Sequence, residues 1–226
     1  MLCVILVVLY ILALAACDKT IQVTNNCQDV VSVGVLTNGG GSSDQTFDLT
    51  PKASRSVSKP DTWGGRVWGR HQCSGSSSKD AQQCGNPGAT NPASLAEFFF
   101  KGAFGKDFYD ISLVDGYNLP MSISPVSQGT GGYNCGSPKC DTMPSCPQEY
   151  AVKDATGNVV ACQSACSKTN TAAACCTGAN DDPSKCTPGD HSNNIKKACP
   201  DAYSFAYDDQ TSTFECNSET YTVTFC

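Results

Sequence analysis

Between residues 20 and 126 apolar side chains fall on every second position in short runs: Ile21/Val23, Val31/Val33/Val35, Phe47/Leu49, Phe98/Phe100 and Ile111/Leu113, with Val67 in a further short segment. Gly, Pro, Asn, Asp or Ser bounds each run. Alternation at period two gives a strand one face for a core and one for water, so this stretch predicts antiparallel strands packed as a sandwich or barrel. Two polar stretches interrupt the pattern. Residues 38–43, Asn-Gly-Gly-Gly-Ser-Ser, read as a turn, and residues 73–92 form a Gly/Ser/Asn-rich excursion closed by Cys73 and Cys84.

From residue 133 to residue 199 the apolar alternation fades and cysteines become dense; Val159–Ala165 and Asn193–Ala198 read as helical. A segment with so little apolar surface depends on cross-links, each contributing about 2–4 kcal/mol by restricting the unfolded chain. Strand-like alternation returns in Tyr203/Phe205/Tyr207 and in Tyr221/Val223/Phe225. The expected organisation is a mainly β protein: an antiparallel β-sandwich core from residues 18–132 and 200–226, with a small disulfide-closed loop region at 71–92. A disulfide-rich loop and helix subdomain at 133–199 completes it.

The first sixteen residues carry no charged side chain, and the apolar run stops at Asp18 and Lys19. That matches the h-region of a secretory signal peptide and is short for a membrane span. Residues 1–17 are therefore expected to be removed. A bacterial lipoprotein box at Leu14-Ala15-Ala16-Cys17 is the other reading of the same residues. The chain has 16 cysteines, and setting aside Cys3 and Cys17 leaves fourteen, an even number compatible with full pairing in an extracellular compartment. Zinc binding by cysteine clusters is disfavoured, because His71 and His191 are the sole histidines and the compartment is oxidising. No metal or cofactor is expected. A net charge of −6 argues against nucleic acid and anionic membranes as partners and leaves neutral or cationic ligands.

Several motifs then speak together: Ile21-x-Val23-x-Asn25-Asn26-Cys27, Gly65-Arg66-Val67-Trp68-Gly69-Arg70, and Ser94-Leu95-Ala96-Glu97-Phe98. DFYDISLVDGYNLPM follows at 107–121, then Cys175-Cys176-Thr177-Gly178, Cys199-Pro200-Asp201-Ala202-Tyr203-Ser204 and Val223-Thr224-Phe225-Cys226. Over essentially the whole chain after the leader this resembles the thaumatin-like proteins, the pathogenesis-related type 5 or osmotin-like group. The resemblance implies the pairing Cys27–Cys226, Cys73–Cys84, Cys135–Cys216, Cys140–Cys199, Cys146–Cys162, Cys166–Cys175 and Cys176–Cys186. It also exposes a departure. Long members carry a Cys-x-Thr-Gly-Asp-Cys element and eight bridges, whereas residues 74–83 here contain no further cysteine, so one bridge is missing.

Members of the group often have an acidic cleft formed by one Arg, one Glu and three Asp. By motif these fall on Arg66, Glu97, Asp110, Asp115 and Asp208. Such a set suits glycoside hydrolysis, which needs one protonated and one ionised carboxyl. Glu97, in an apolar run with Phe98, Phe99 and Phe100, is the candidate acid. Asp115, at an Asp-Gly turn, is the candidate base or nucleophile, and Asp110 is the alternative base. Arg66 would hold a neighbouring Asp ionised, Asp208 would bind sugar hydroxyls, and Tyr117 would stack on a sugar ring. His71 and His191 are expected at the surface, with no catalytic part. The resemblance thus implies a secreted monomer that binds, and weakly hydrolyses, β-1,3-glucan in defence or wall remodelling. A non-catalytic carbohydrate-binding protein and a membrane-active antifungal protein remain open as alternatives.

Overall fold

The computed structural model describes residues 18–41, 43–71, 86–88, 90–127, 129 and 131–226. The leader at residues 1–17, the bridge Cys73–Cys84 and most of the small loop region lie outside the described residues.

The alternating runs form strands. In chain order these are β1 (Lys19–Asn25), β2 (Val31–Thr37), β3 (Gln45–Leu49), β4 (Ser54–Lys59), β5 (Gly64–His71), β6 (Leu95–Phe99), β7 (Asp107–Ser112) and β8 (Met121–Pro125). A cysteine-dense stretch follows, containing β9 (Lys139–Cys140), β10 (Ala151–Lys153), β11 (Val159–Cys162), α1 (Ala165–Thr169), α2 (Ala172–Cys175) and α3 (Asp190–Ala198). The chain closes with α4 (Asp209–Ser212), β12 (Phe214–Cys216) and β13 (Thr220–Phe225). Two sheets make the sandwich, one in the order β4-β1-β13-β8-β9 and the other β12-β7-β6-β5-β2-β3.

Inward positions of both sheets meet in one core, in which Ile21, Val33, Val67, Ile111, Ile123 and Val223 are buried. Its centre is aromatic: Phe98, Phe100, Tyr109 and Tyr221 lie with ring centroids 5.2–5.6 Å apart in successive pairs. Lys19 on β1 and Asp107 on β7 bridge the two sheets through a buried ion pair of 2.9 Å. Tyr221 Oη also donates to Asp107 Oδ2, at 2.6 Å, so the buried carboxylate has more than one partner.

Strand β1 lies between β4, antiparallel to it, and β13, parallel to it, with Ile21 opposite Tyr221 and Val23 opposite Val223. Just beyond these strands Cys27 is bonded to Cys226. Five further bridges are described: Cys135–Cys216, Cys140–Cys199, Cys146–Cys162, Cys166–Cys175 and Cys176–Cys186. They are the pairs that the motif resemblance implies.

Two sequence expectations about local structure are corrected. Val159–Cys162 is the strand β11 rather than the start of a helix; β-branched valines suit a strand, and it pairs with β10 while Cys162 is bonded to Cys146. The helix begins at Ala165, where Ser164 Oγ accepts from Ser167 N at 3.0 Å. Tyr203/Phe205/Tyr207 is not a strand. Tyr203 makes one bridge to Ser112, and the backbone then folds around Asp208, whose Oδ2 accepts from both the N–H and the hydroxyl of Ser204. Alternation there reflects a side-chain-anchored turn.

Candidate functional site

The inward rows of β5, β6 and β7 belong to the core, so their intervening residues form the outer face of the six-stranded sheet. Pairing across that face is regular. Arg66 on β5 lies opposite Glu97 on β6, and Glu97 lies opposite Asp110 on β7. One step along the strands, Leu95 is opposite Ser112. Beside these polar groups Trp68, Leu36, Leu95 and Ala93 form a small second apolar cluster. Gly34 makes room for it: a Cβ at that position would lie 2.2 Å from the Trp68 ring.

A cleft of about 380 Å³ opens over this face. Leu95, Glu97, Asp110 and Ser112 make its floor. One wall is the turn carrying Val114 and Asp115, and the other is formed by Tyr203, Ala206 and Asp209. The Asp115 turn depends on Gly116, which has φ +106; a Cβ there would lie 2.3 Å from the carbonyl oxygen of Cys162. Tyr117 and Cys162 exchange backbone hydrogen bonds of 2.8 Å in both directions, and Ser167 Oγ donates to the Asp115 carbonyl at 2.9 Å. The cysteine-dense region therefore holds the turn that presents Asp115.

Burial pushes both floor carboxyls toward the protonated form. For Glu97 burial is the largest effect, opposed by the positive charge of Arg66, reinforced by Asp115 and opposed again by a hydrogen bond with Ser112. Asp110 is held well above the usual carboxylate range by burial, then by Glu97 and Asp209, and among the described residues no cation is seen to offset it. Two carboxyls facing each other across a ladder cannot both ionise cheaply. Asp110 is accordingly the better proton holder of the pair. On the outer wall, Asp209 Oδ1 accepts from Tyr203 Oη at 2.8 Å.

The structure brings Glu97, Asp110 and Asp115 to one cleft, with Arg66 beside Glu97. Several expected roles are corrected. The reasoning for Glu97 fails in one particular: Phe98 and Phe100 point into the core on the opposite face, so they do not desolvate its carboxyl. Arg66 is registered with Glu97 rather than with an Asp, and its Nε is buried without a hydrogen-bond partner. It acts by charge, not through an ion pair among the described residues. Asp208 does not line the cleft; it accepts from Ser204 and lies 3.2 Å from Lys196 Nζ, and its neighbour Asp209 faces the cleft instead. Tyr117 is buried and its hydroxyl donates to the Ser145 carbonyl at 3.2 Å, leaving no ring face for a sugar. His191 is buried rather than at the surface, stacked on Tyr150 with centroids 4.0 Å apart. His71 is exposed near Cys27 and Cys226, whose sulfurs are bonded to each other and cannot ligate a metal.

Sequence reading missed Ser112, Tyr203 and Asp209. Ser112 was accessible to it, since the period-two alternation that places Asp110 outward also places Ser112 outward. Tyr203 and Asp209 required the turn around Asp208, which no periodicity announces.

The sequence signature of the Thaumatin family matches residues 25–226. The chain is 46% identical to pathogenesis-related protein 5 of Arabidopsis thaliana over 224 residues, 95% of this chain and 92% of that protein. It is 42% identical to a glucan endo-1,3-beta-glucosidase of Prunus avium over 92% of this chain and 90% of that one. Among solved structures, a laminaripentaose-producing β-1,3-glucanase in complex with laminaritetraose aligns with a TM-score of 0.62 at 11% identity, covering 92% of this chain and 98% of that one, a likeness of fold. With a family signature spanning nearly all of the described residues and relatives above 40% identity over nine-tenths of the chain, this protein belongs to the thaumatin family.

Proposed function

We propose that this is a secreted protein directed at β-1,3-glucan, which it binds in the acid-lined cleft and hydrolyses slowly, in a defence or wall-related role. One observation carries the reading: Glu97 and Asp110 face each other on the floor of an open cleft whose walls bring Asp115 and Asp209, with Arg66 in register with Glu97 on the next strand. The names of two relatives, a glucan endo-1,3-beta-glucosidase and a pathogenesis-related protein, support the substrate class and the role. Six described disulfides support an extracellular site.

In this reading the Glu97–Asp110 pair, whose carboxyls are both pushed toward the protonated form, delivers a proton to the leaving glycosidic oxygen. Asp115, on the turn, takes a proton from the water that attacks the anomeric carbon as the C–O bond breaks. Arg66 keeps Glu97 the more acidic of the two floor carboxyls, and Asp209 and Ser112 supply hydrogen-bonding groups to sugar hydroxyls.

The test is reducing-sugar release from laminarin beside retention on insoluble β-1,3-glucan. Asp110→Asn and Glu97→Gln are each expected to lower release by roughly 10²-fold or more while keeping most retention, since the amide keeps shape and loses the transferable proton. Unchanged release in both variants would remove the floor carboxyls from the chemistry. Retention without any release in the unmodified protein would establish the non-catalytic carbohydrate-binding alternative, and the absence of both would end the glucan reading. Among the described residues no helix is long and apolar enough to cross a membrane, and the net charge of −6 disfavours adsorption to anionic lipid.

A further inference from the structure

We infer that Phe99 and Phe108 form an aromatic platform that receives the sugar unit next to the cleft, extending the glucan site proposed above, on which this inference rests. On the outer sheet face the residues two positions from Glu97 and Asp110 are Phe99 and Phe108, opposite each other in the β6–β7 ladder. They form a row parallel to the acidic one. Two residues of strand advance about 7 Å, comparable to one pyranose with its bridging oxygen. The cleft lies on one side of the acidic row, over Leu95 and Ser112, and the aromatic row lies on the other. A linear glucan filling the cleft thus crosses the carboxyls onto these rings.

Phe99 is 55% exposed, although most large apolar side chains among the described residues are buried. Its ring is seated on bare backbone between two glycines. A Cβ on Gly64 would lie 3.1 Å from Phe99 Cδ2, and one on Gly102 would lie 2.9 Å from Cδ1 and equally close to the Phe108 ring. An aromatic ring covering a strand glycine stabilises the sheet, which accounts for its lying low. It does not account for leaving more than half of a phenylalanine in water. Phe108, by contrast, is partly covered.

The ends of the row favour a neutral, hydroxyl-rich occupant. Asn38 N donates to the Gly64 carbonyl, which places the exposed Asn38 beside Gly64; at the other end Glu215 lies opposite Phe108. Lys106 approaches Glu215 at 3.9 Å. An apolar centre flanked by an amide and a carboxylate matches a pyranose, whose ring hydrogens form an apolar face and whose hydroxyls radiate at the edge. A purely apolar partner would strand those flanking groups without water or hydrogen-bond partners.

Calorimetric titration with linear β-1,3-gluco-oligosaccharides of two to six units tests the platform, using the oxidised protein, Phe99→Thr, Phe99→Tyr and Phe108→Thr. In the unmodified protein, affinity should climb with length. Phe99→Thr should remove roughly tenfold from the longer oligomers while leaving the disaccharide unchanged, and Phe99→Tyr should restore the gain. Phe108→Thr should act in the same direction, which covers the case in which Phe99→Thr does not fold. Equal affinities for Phe99→Thr and the unmodified protein at every length would overturn the platform and leave the cleft reading intact. An equal loss at every length would also overturn it, since the ring would then be supporting the cleft floor. No binding of any oligomer by the unmodified protein would defeat the cleft reading, and the platform with it.

Discussion

Asp110 and Glu97 face each other across the β6–β7 ladder with the Arg66 charge on the Glu97 side. The asymmetry fixes a sign. Asp110 titrates above its unfolded value, so the native state binds more protons than the unfolded chain between those two values, and its contribution to stability is lost as pH rises through the folded value. Asp110→Asn removes that dependence. Thermal unfolding should show the variant melting a few degrees above the parent at pH 7 and close to it at pH 4. A variant less stable than the parent at pH 7 would mean that the carboxylate is satisfied in a way its surroundings do not suggest. The same position illustrates what a sequence can show. The outward phase of Glu97, Asp110 and Ser112 follows from alternation, and their types announce acid chemistry; which carboxyl keeps the proton depends on the register with Arg66, a relation between strands some thirty residues apart.

The turn from Leu113 to Tyr117 joins the sandwich to the cysteine-dense region through the Tyr117–Cys162 backbone pair, with Gly116 and the Ser167 contact shaping it. Gly116→Ala should be severe, because φ +106 is unfavourable for alanine and the added carbon would meet Cys162 O and Pro92 Cβ at 2.3 and 2.5 Å. A loss of more than about 2 kcal/mol in denaturant unfolding, or failure of secretion, is expected. Ser167→Ala removes the hydrogen bond to the Asp115 carbonyl together with the one that Ser167 Oγ accepts from Ser164 Oγ at the helix start. It should cost about 1 kcal/mol or less in stability, yet weaken oligosaccharide binding, because the loop bearing Asp115 loses its tether. Equal binding by Ser167→Ala would show that the turn holds its shape unaided. Legibility differs by element here as well. β1, β2 and β13 announce themselves by alternating apolar residues against a deep core, whereas β11 and the Tyr203 turn are shaped by a disulfide and by the Asp208 carboxylate, constraints that act from outside their own sequence.

The whole molecule is organised around one long-range pairing. β1 joins β13 in parallel, with nearly all of the chain between them, and Cys27–Cys226 closes that circuit. Pairings so distant in sequence form late, because their loop entropy is met before any contact rewards it. The inner bridges Cys135–Cys216 and Cys140–Cys199 shorten the path, so they should form ahead of the outer one, and trapping of free thiols during oxidative refolding should find Cys27 and Cys226 open to alkylation longest. Early protection of Cys27 and Cys226 would contradict this order.

The placement of β1 between β4 and β13 has a further meaning for a chain made from its N-terminus onward. While the ribosome is still working, β1 can zip to β4, but its other edge, with its row of unpaired amides and carbonyls, waits for the latest strand to arrive. Every cleft residue has emerged by then. A stop codon placed just before Thr220 would therefore yield a polypeptide with its complete acidic cleft and a permanently open sheet edge, and such a product should be retained and degraded rather than exported. Export of that truncated chain at normal levels, measured by pulse-labelling, would show that the sheet can be sealed without its final strand. Surveillance of the unfinished fold thus falls on the sheet that lies across the sandwich from the one carrying Glu97 and Asp110.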